Sequence, residues 1–136
     1  MAGMSSEETP PAWAAWVAQA EHDWEMAQDL HGRGKWSDAL VYAEQAAEKW
    51  VKALWIARHG KAAPRTHLVG RLLAVLGAPE DLVAVGQRLG HGYFASRYPD
   101  VSVSPPFTAF EGTDADAALG GAEEVIAWVR SVWPSK

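Results

Sequence analysis

The chain has 136 residues, an apolar fraction of 49% and a charged fraction of 21%, enough for one globular domain with its own core. Its net charge of −5 argues against nucleic-acid binding through a generally basic surface, and the absence of cysteine excludes disulfides and thiolate metal sites. No apolar run approaches the ~18 residues needed to cross a bilayer. The N-terminus also lacks the basic-then-apolar order of a signal peptide, so a cytoplasmic protein with no membrane attachment is expected.

Strand signals are weak throughout, and the chain reads as helices punctuated by Gly and Pro. Residues 1–11 read as a flexible tail ahead of a single helical domain at 12–136. A first helix starts after Pro10-Pro11 and runs to about Leu30, with Trp13, Trp16, Val17, Ala20, Trp24, Ala27 and Leu30 at helical spacing. Gly32-Arg33-Gly34 ends it, since glycine readily takes the left-handed conformation at a helix C-terminus. A second helix begins near Trp36-Ser37-Asp38, with Ser37 as the expected N-cap, and ends at His59-Gly60. The short connection makes these two helices antiparallel.

Pro64 and Thr66 are expected to open a third helix that carries His67 in its first turn and closes at Gly77. Pro79-Glu80-Asp81 starts a fourth, because proline suits the first turn and acids complement the helix dipole there. Leu82, Val85, Leu89 and Tyr93 point it at the core. Gly86, Gly90 and Gly92 each cost ~1 kcal/mol relative to alanine inside a helix, which predicts close helix packing or a break near Gly90-His91-Gly92. Arg97-Tyr98-Pro99-Asp100 ends it, since the residue before a proline is pushed out of the α region. Residues 101–112 read as a loop. Thr113-Asp114-Ala115-Asp116 then opens the last helix, whose apolar face is Ala118, Ala122, Val125 and Val129, continuing to Trp133. The fold class is all-α: an up-and-down antiparallel four-helix bundle with an additional short helix.

The second helix is unusual in having two working faces. Leu40, Ala43, Ala47, Trp50, Leu54 and Ala57 form a continuous apolar stripe. Beside it, Val41, Gln45, Glu48, Lys52 and Trp55 form a second stripe in which polar groups lie between apolar ends. Glu48 and Lys52 stand one turn apart, acid first, the favourable order for a helical ion pair worth ~0.3–0.5 kcal/mol on a solvated face. They equally suit a polar groove or a subunit seam together with Gln45. The eight tryptophans likewise have two readings, core filling and a subunit or partner contact.

Catalytic motifs are scarce. There is no Walker-type glycine loop, no Gly-x-Ser-x-Gly elbow and no His-Glu-x-x-His. No Glu is followed by His three residues later, as metal-carboxylate bundles require. His22, Glu25 and Asp29 share a face of the first helix, and Glu44 and Glu48 share one of the second, but solvated charged faces look the same. No metal and no cofactor is expected. Arg97 and Asp100, around a rigid turn, suit either a structural salt bridge or presentation of a guanidinium to a phosphate.

The run Ala43-Glu44-Gln45-Ala46-Ala47-Glu48-Lys49 with Lys52-Ala53-Leu54, then Thr66-His67-Leu68 with Leu72-Leu73, then Tyr93 and Arg97-Tyr98-Pro99-Asp100, resembles the HEPN domain, the higher eukaryotes and prokaryotes nucleotide-binding family. The resemblance covers roughly Trp13 to Val132. It implies a helical bundle that commonly dimerises. It also implies either of two roles: partner of a minimal nucleotidyltransferase in a toxin–antitoxin-like pair, or a metal-independent ribonuclease acting in a dimer cleft. The ribonucleases carry Arg, four to six residues, then His. None of Arg33, Arg58, Arg65, Arg71, Arg88, Arg97 and Arg130 meets that spacing. His91 follows Arg88 too soon. Tyr93 does follow Arg88 after four residues, but a phenol with a pKa of ~10 is a poor base near neutral pH.

The expectation is therefore a non-catalytic homodimer that partners a nucleotidyltransferase, with a nucleotide as candidate ligand and RNA not favoured. Its cleft would be formed by Gln45, Glu48, Lys52, His67, Arg97, Tyr98 and Asp100. Lys52 and Arg97 would meet phosphate, and Gln45 and Glu48 a base or a partner side chain. The rival expectation is a divergent ribonuclease using Arg88 or Arg97 with His91 or Tyr93. A purely structural dimer is the third.

Overall fold

The computed structural model describes residues 9–97 and 105–134, with backbone alone for 91–97 and 106. Six helices follow one another: α1 (Ala12–Gly32), α2 (Trp36–His59), α3 (Val69–Val75), α4 (Glu80–Arg97), α5 (Pro106–Ala109) and α6 (Gly112–Ser131). The four long ones make the up-and-down bundle, and α3 pairs with α4 at one side. Of the tail expected at 1–11, residues 1–8 lie outside the described residues.

The punctuation acts where glycine chemistry requires it. Gly34 closes the α1–α2 turn at φ 73°, Gly60 ends α2 at φ 69°, and Gly77 separates α3 from α4 at φ 88°. The backbone N–H of Gly60 donates to the Ile56 carbonyl at 2.8 Å. Beyond these turns, Arg58 donates to the Leu76 carbonyl at 2.8 Å, tying the end of α2 to the end of α3.

Helix α2 is the centre of the molecule. Fourteen of its twenty-four residues are buried, against three of twenty-one in α1. It packs against α1, α4 and α6 at once. The sequence permits this because Ala39, Ala43, Ala46, Ala47 and Ala53, all fully buried, let neighbouring backbones come near on several sides. Leu40, Val51 and Leu54 fill the core together with Leu73, Val125 and Val129.

Four expectations about the elements are corrected. Ser37 is not the N-cap of α2; the helix has already begun at Trp36, and Ser37 is buried within it. The third helix starts at Val69, so His67 lies in the connection before it. There the Thr66 hydroxyl accepts from the Leu68 N–H at 3.1 Å, a local turn that competes with helix formation. Residues 101–112 are not all loop, because Pro106–Ala109 form α5. The last helix is capped at Glu111, whose N–H donates to Asp114 Oδ2 at 2.7 Å, so it starts ahead of Thr113. Of the two alternatives offered for the α4 glycines, the break does not occur: the backbone runs continuously through Gly90-His91-Gly92.

Close packing of α4 occurs instead at Gly86, which crosses Gly70 of α3. A Cβ at Gly86 would lie 2.9 Å from the Gly70 backbone, and one at Gly70 would lie 2.9 Å from the Gln87 nitrogen. Leu82, Val85 and Leu89 enter the core as the pattern predicts, while the Tyr93 side chain lies outside the described residues. No described helix is long and apolar enough to cross a membrane.

Candidate functional site

The second stripe of α2 does not face open solvent. Glu48 and Lys52 are each only 7% exposed, although both are ionisable. The i,i+4 spacing on α2 sets Lys52 Nζ 2.8 Å from Glu48 Oε2. From the connection before α3, His67 Nδ1 lies 2.9 Å from Glu48 Oε1 and 3.2 Å from Oε2. A carboxylate only accepts, so Nδ1 carries the hydrogen and the ring's orientation is fixed. Trp16 of α1 supplies the remaining wall, its ring centroid 5.8 Å from Lys52 Nζ. One buried carboxylate thus holds two basic side chains, which is the condition under which buried charge is tolerated.

A second polar set lies beside the first on the α1–α2 seam. Asp23, 2% exposed on α1, accepts from Gln19 Nε2 at 3.0 Å and forms an ion pair with Lys49 of α2. Lys49 also donates to Gln45 Oε1 at 3.2 Å. These groups line an open groove of about 660 Å³ that also takes in Tyr42 and Asp38.

Glu44 has the opposite surroundings. It is buried on α2, its Oε1 has no hydrogen-bond partner among the described residues, and it faces a space between α2, α4 and α6. Burial, reinforced by the negative charge of Glu48 one turn on, pushes its pKa from 4.5 to about 9. At neutral pH it is a neutral acid.

Among the cleft residues expected from sequence, the fold brings Glu48, Lys52 and His67 together. Gln45 sits with Lys49 and Asp23 instead. Arg97 is the last residue of α4, with its backbone alone described, and Tyr98 and Asp100 lie outside the described residues. The sequence reading missed Asp23, Lys49, Gln19 and Trp16, and it put Glu44 on one face with Glu48, whereas Glu44 faces α4 and α6 and Glu48 faces Lys52 and His67. Two of these carried a signal. Asp23 lies between Ala20 and Ala27 in the buried register of α1, and Glu44 lies between Leu40 and Ala47 in that of α2. An acid at a core position is either paired or protonated, and these two residues show one outcome each.

Among the described residues no group of three or more His, Cys, Asp or Glu is placed to hold a metal ion. On the α1 face singled out above, His22 and Glu25 are exposed, and Asp29 pairs with Arg33 at 3.2 Å. Of the eight tryptophans, Trp50 alone is buried, with Arg130 over its ring at 5.0 Å; the other seven are partly exposed.

These features define a class: an all-helical bundle whose central helix buries a compensated acid–base cluster against the preceding and following elements. The family model for the HEPN domain matches residues 13–132, and the chain belongs to that family. Two solved structures share the fold. TT1696 from Thermus thermophilus is 33% identical with a TM-score of 0.82, and the match covers 90% of this chain and 98% of that one. ST0689, described as an archaeal HEPN homologue, is 30% identical with a TM-score of 0.77 and the same coverage of both chains. A comparison with curated proteins gives no match.

Proposed function

We propose that this chain is a non-catalytic HEPN protein that forms a homodimer and binds a minimal nucleotidyltransferase in a toxin–antitoxin-like pair. The face built on Glu48, Lys52 and His67 is the recognition surface, and a nucleotide, the candidate small ligand, would take its phosphate contact from a cation other than Lys52. The observation that carries this reading is the internal compensation of the cluster. Lys52 is buried against Glu48 and Trp16, so its charge orders the seam and is not offered to a bound phosphodiester. The missing Arg-to-His spacing and the net charge of −5 support the same reading. Seven partly exposed tryptophans support a contact surface, since Trp is enriched in interfaces.

The test is co-expression with the product of the neighbouring gene, followed by mass determination in solution. The expected results are a dimer of the 14.7 kDa chain alone and a stable complex with a small nucleotidyltransferase. A monodisperse monomer at micromolar concentration overturns the dimer. One observation favours ribonuclease activity as a second reading: Glu48 orients the His67 imidazole as a carboxylate orients a general base. RNA cleavage by the purified protein, lost in Arg97→Ala or His67→Ala without unfolding, would establish that reading and end the non-catalytic one.

A further inference from the structure

The space between α2, α4 and α6 is a cavity of about 270 Å³ on the far side of α2 from the α1 seam. Leu40 of α2 and Val85 and Leu89 of α4 give it apolar walls. Glu44 reaches it from α2, 4% exposed and with one oxygen unpartnered among the described residues. A buried acid with an empty hydrogen-bond position is costly to keep unless something occupies that position part of the time. The other charged groups at the cavity are Arg88 from α4 and Asp114 and Glu124 from α6, while Glu48 acts on Glu44 from one turn along α2. With Glu44 protonated, Asp114 and Glu124 against the Arg88 guanidinium leave one net negative charge, and ionisation of Glu44 adds a second, so the cavity prefers a cation. The apolar walls supply no further oxygen ligands for a metal ion, which needs several.

We propose that this cavity binds a small organic ammonium ion, with its N–H groups donated to Glu44 and its hydrocarbon body against Leu40, Val85 and Leu89. The volume lies near the lower end for ligand sites and suits a short alkyl chain. Binding has a defined proton balance. Glu44 is a neutral acid beforehand, it ionises as the ammonium ion arrives, and its proton goes to the buffer.

Calorimetric titration with n-butylammonium chloride near neutral pH, in two buffers of different ionisation enthalpy, tests this directly. The expected result is saturable binding at millimolar concentration with release of about one proton per chain. The neutral isostere n-butanol should bind at least about tenfold more weakly, as should n-butylammonium to Glu44→Gln, which also loses the proton release. Ala117→Phe fills the rim while leaving Glu44 in place, and it should weaken binding as well. Thermal melting of both variants verifies that they fold. Absence of saturable binding, equal affinity for n-butanol, or unchanged binding and proton release in Glu44→Gln overturns the proposal.

Discussion

Glu44 and Glu48 are one turn apart on the same helix, both buried, and they have opposite electrostatic fates. Glu48 faces the α1 seam and the connection before α3, where Lys52 and His67 compensate it. Glu44 faces α4 and α6, meets no donor among the described residues, and keeps its proton to a pH of about 9. Depth of burial does not separate them, since both are almost fully covered. Partners do. A helix surrounded on several sides can therefore carry a charged site on one face and a neutral acid on another, with a single turn of backbone between them.

The strongest way to break this contrast is to remove the compensated acid. Glu48→Ala leaves Lys52 buried without its counter-charge, and loss of one member of a buried pair costs ~3–5 kcal/mol. Denaturant unfolding should report a loss of that size. Burial is the main cause of the raised Glu44 pKa and the Glu48 charge the lesser one, so the milder Glu48→Gln should make Glu44 titrate at somewhat lower pH than in the parent by carboxyl carbon NMR. An unmoved Glu44 titration would mean that the two faces are independent.

The second prediction turns on the Glu44 proton. The folded protein holds it well above the pH at which the unfolded chain, with a carboxyl pKa of 4.5, gives it up. Folding stability from this group is therefore fully present below 4.5 and is lost as pH rises towards about 9. One proton corresponds to ~1.4 kcal/mol per pH unit, so the loss is on the order of 3 kcal/mol by neutral pH. Glu44→Gln cannot ionise. Its stability relative to the parent should therefore rise across that window, and parallel pH profiles of the two proteins would refute the assignment.

The contrast was only half legible in the sequence. Helix positions and the apolar stripe of α2 follow from spacing and glycine punctuation, because both are local. Glu48 and Lys52 were legible as a pair for the same reason. That they are buried was not, since the cover comes from Trp16 and His67, brought in by tertiary packing from both directions along the chain. The reading of His67 as a first-turn residue failed because a hydroxyl turn at Thr66 and the pull of a distant carboxylate outweighed local helix preference. Asp23 and Glu44 were visible as acids in apolar registers, but which one finds a partner depends on whether a lysine such as Lys49 stands across the seam.

A third prediction tests how firmly α4 is held over the Glu44 side. Helices α3 and α4 cross at Gly70 and Gly86, where an added methyl would sit 2.9 Å from backbone atoms that cannot rotate away. Gly86→Ala gains helix propensity, worth ~1 kcal/mol, but must separate the two helices. Overpacking of this kind costs ~1–3 kcal/mol, so net destabilisation of up to roughly 2 kcal/mol is expected. Thermal unfolding that shows Gly86→Ala to be stabilised would mean that the crossing is loose.

The smallest expected effect is at His67, and it sharpens the comparison from the compensated side. The imidazole is the more exposed partner of Glu48, with half of its side chain open to solvent. Its removal leaves the buried Lys52 pair intact at 2.8 Å, and ion pairs with an exposed member contribute ~0–1 kcal/mol. His67→Ala should therefore lower stability by less than about 1 kcal/mol, well short of Glu48→Ala. If the proposed partner docks on this face, affinity for it should fall more than stability does, because His67 is the member of the cluster most open to solvent. Equal losses in the two measurements would make His67 a structural brace and move the recognition surface elsewhere on the bundle.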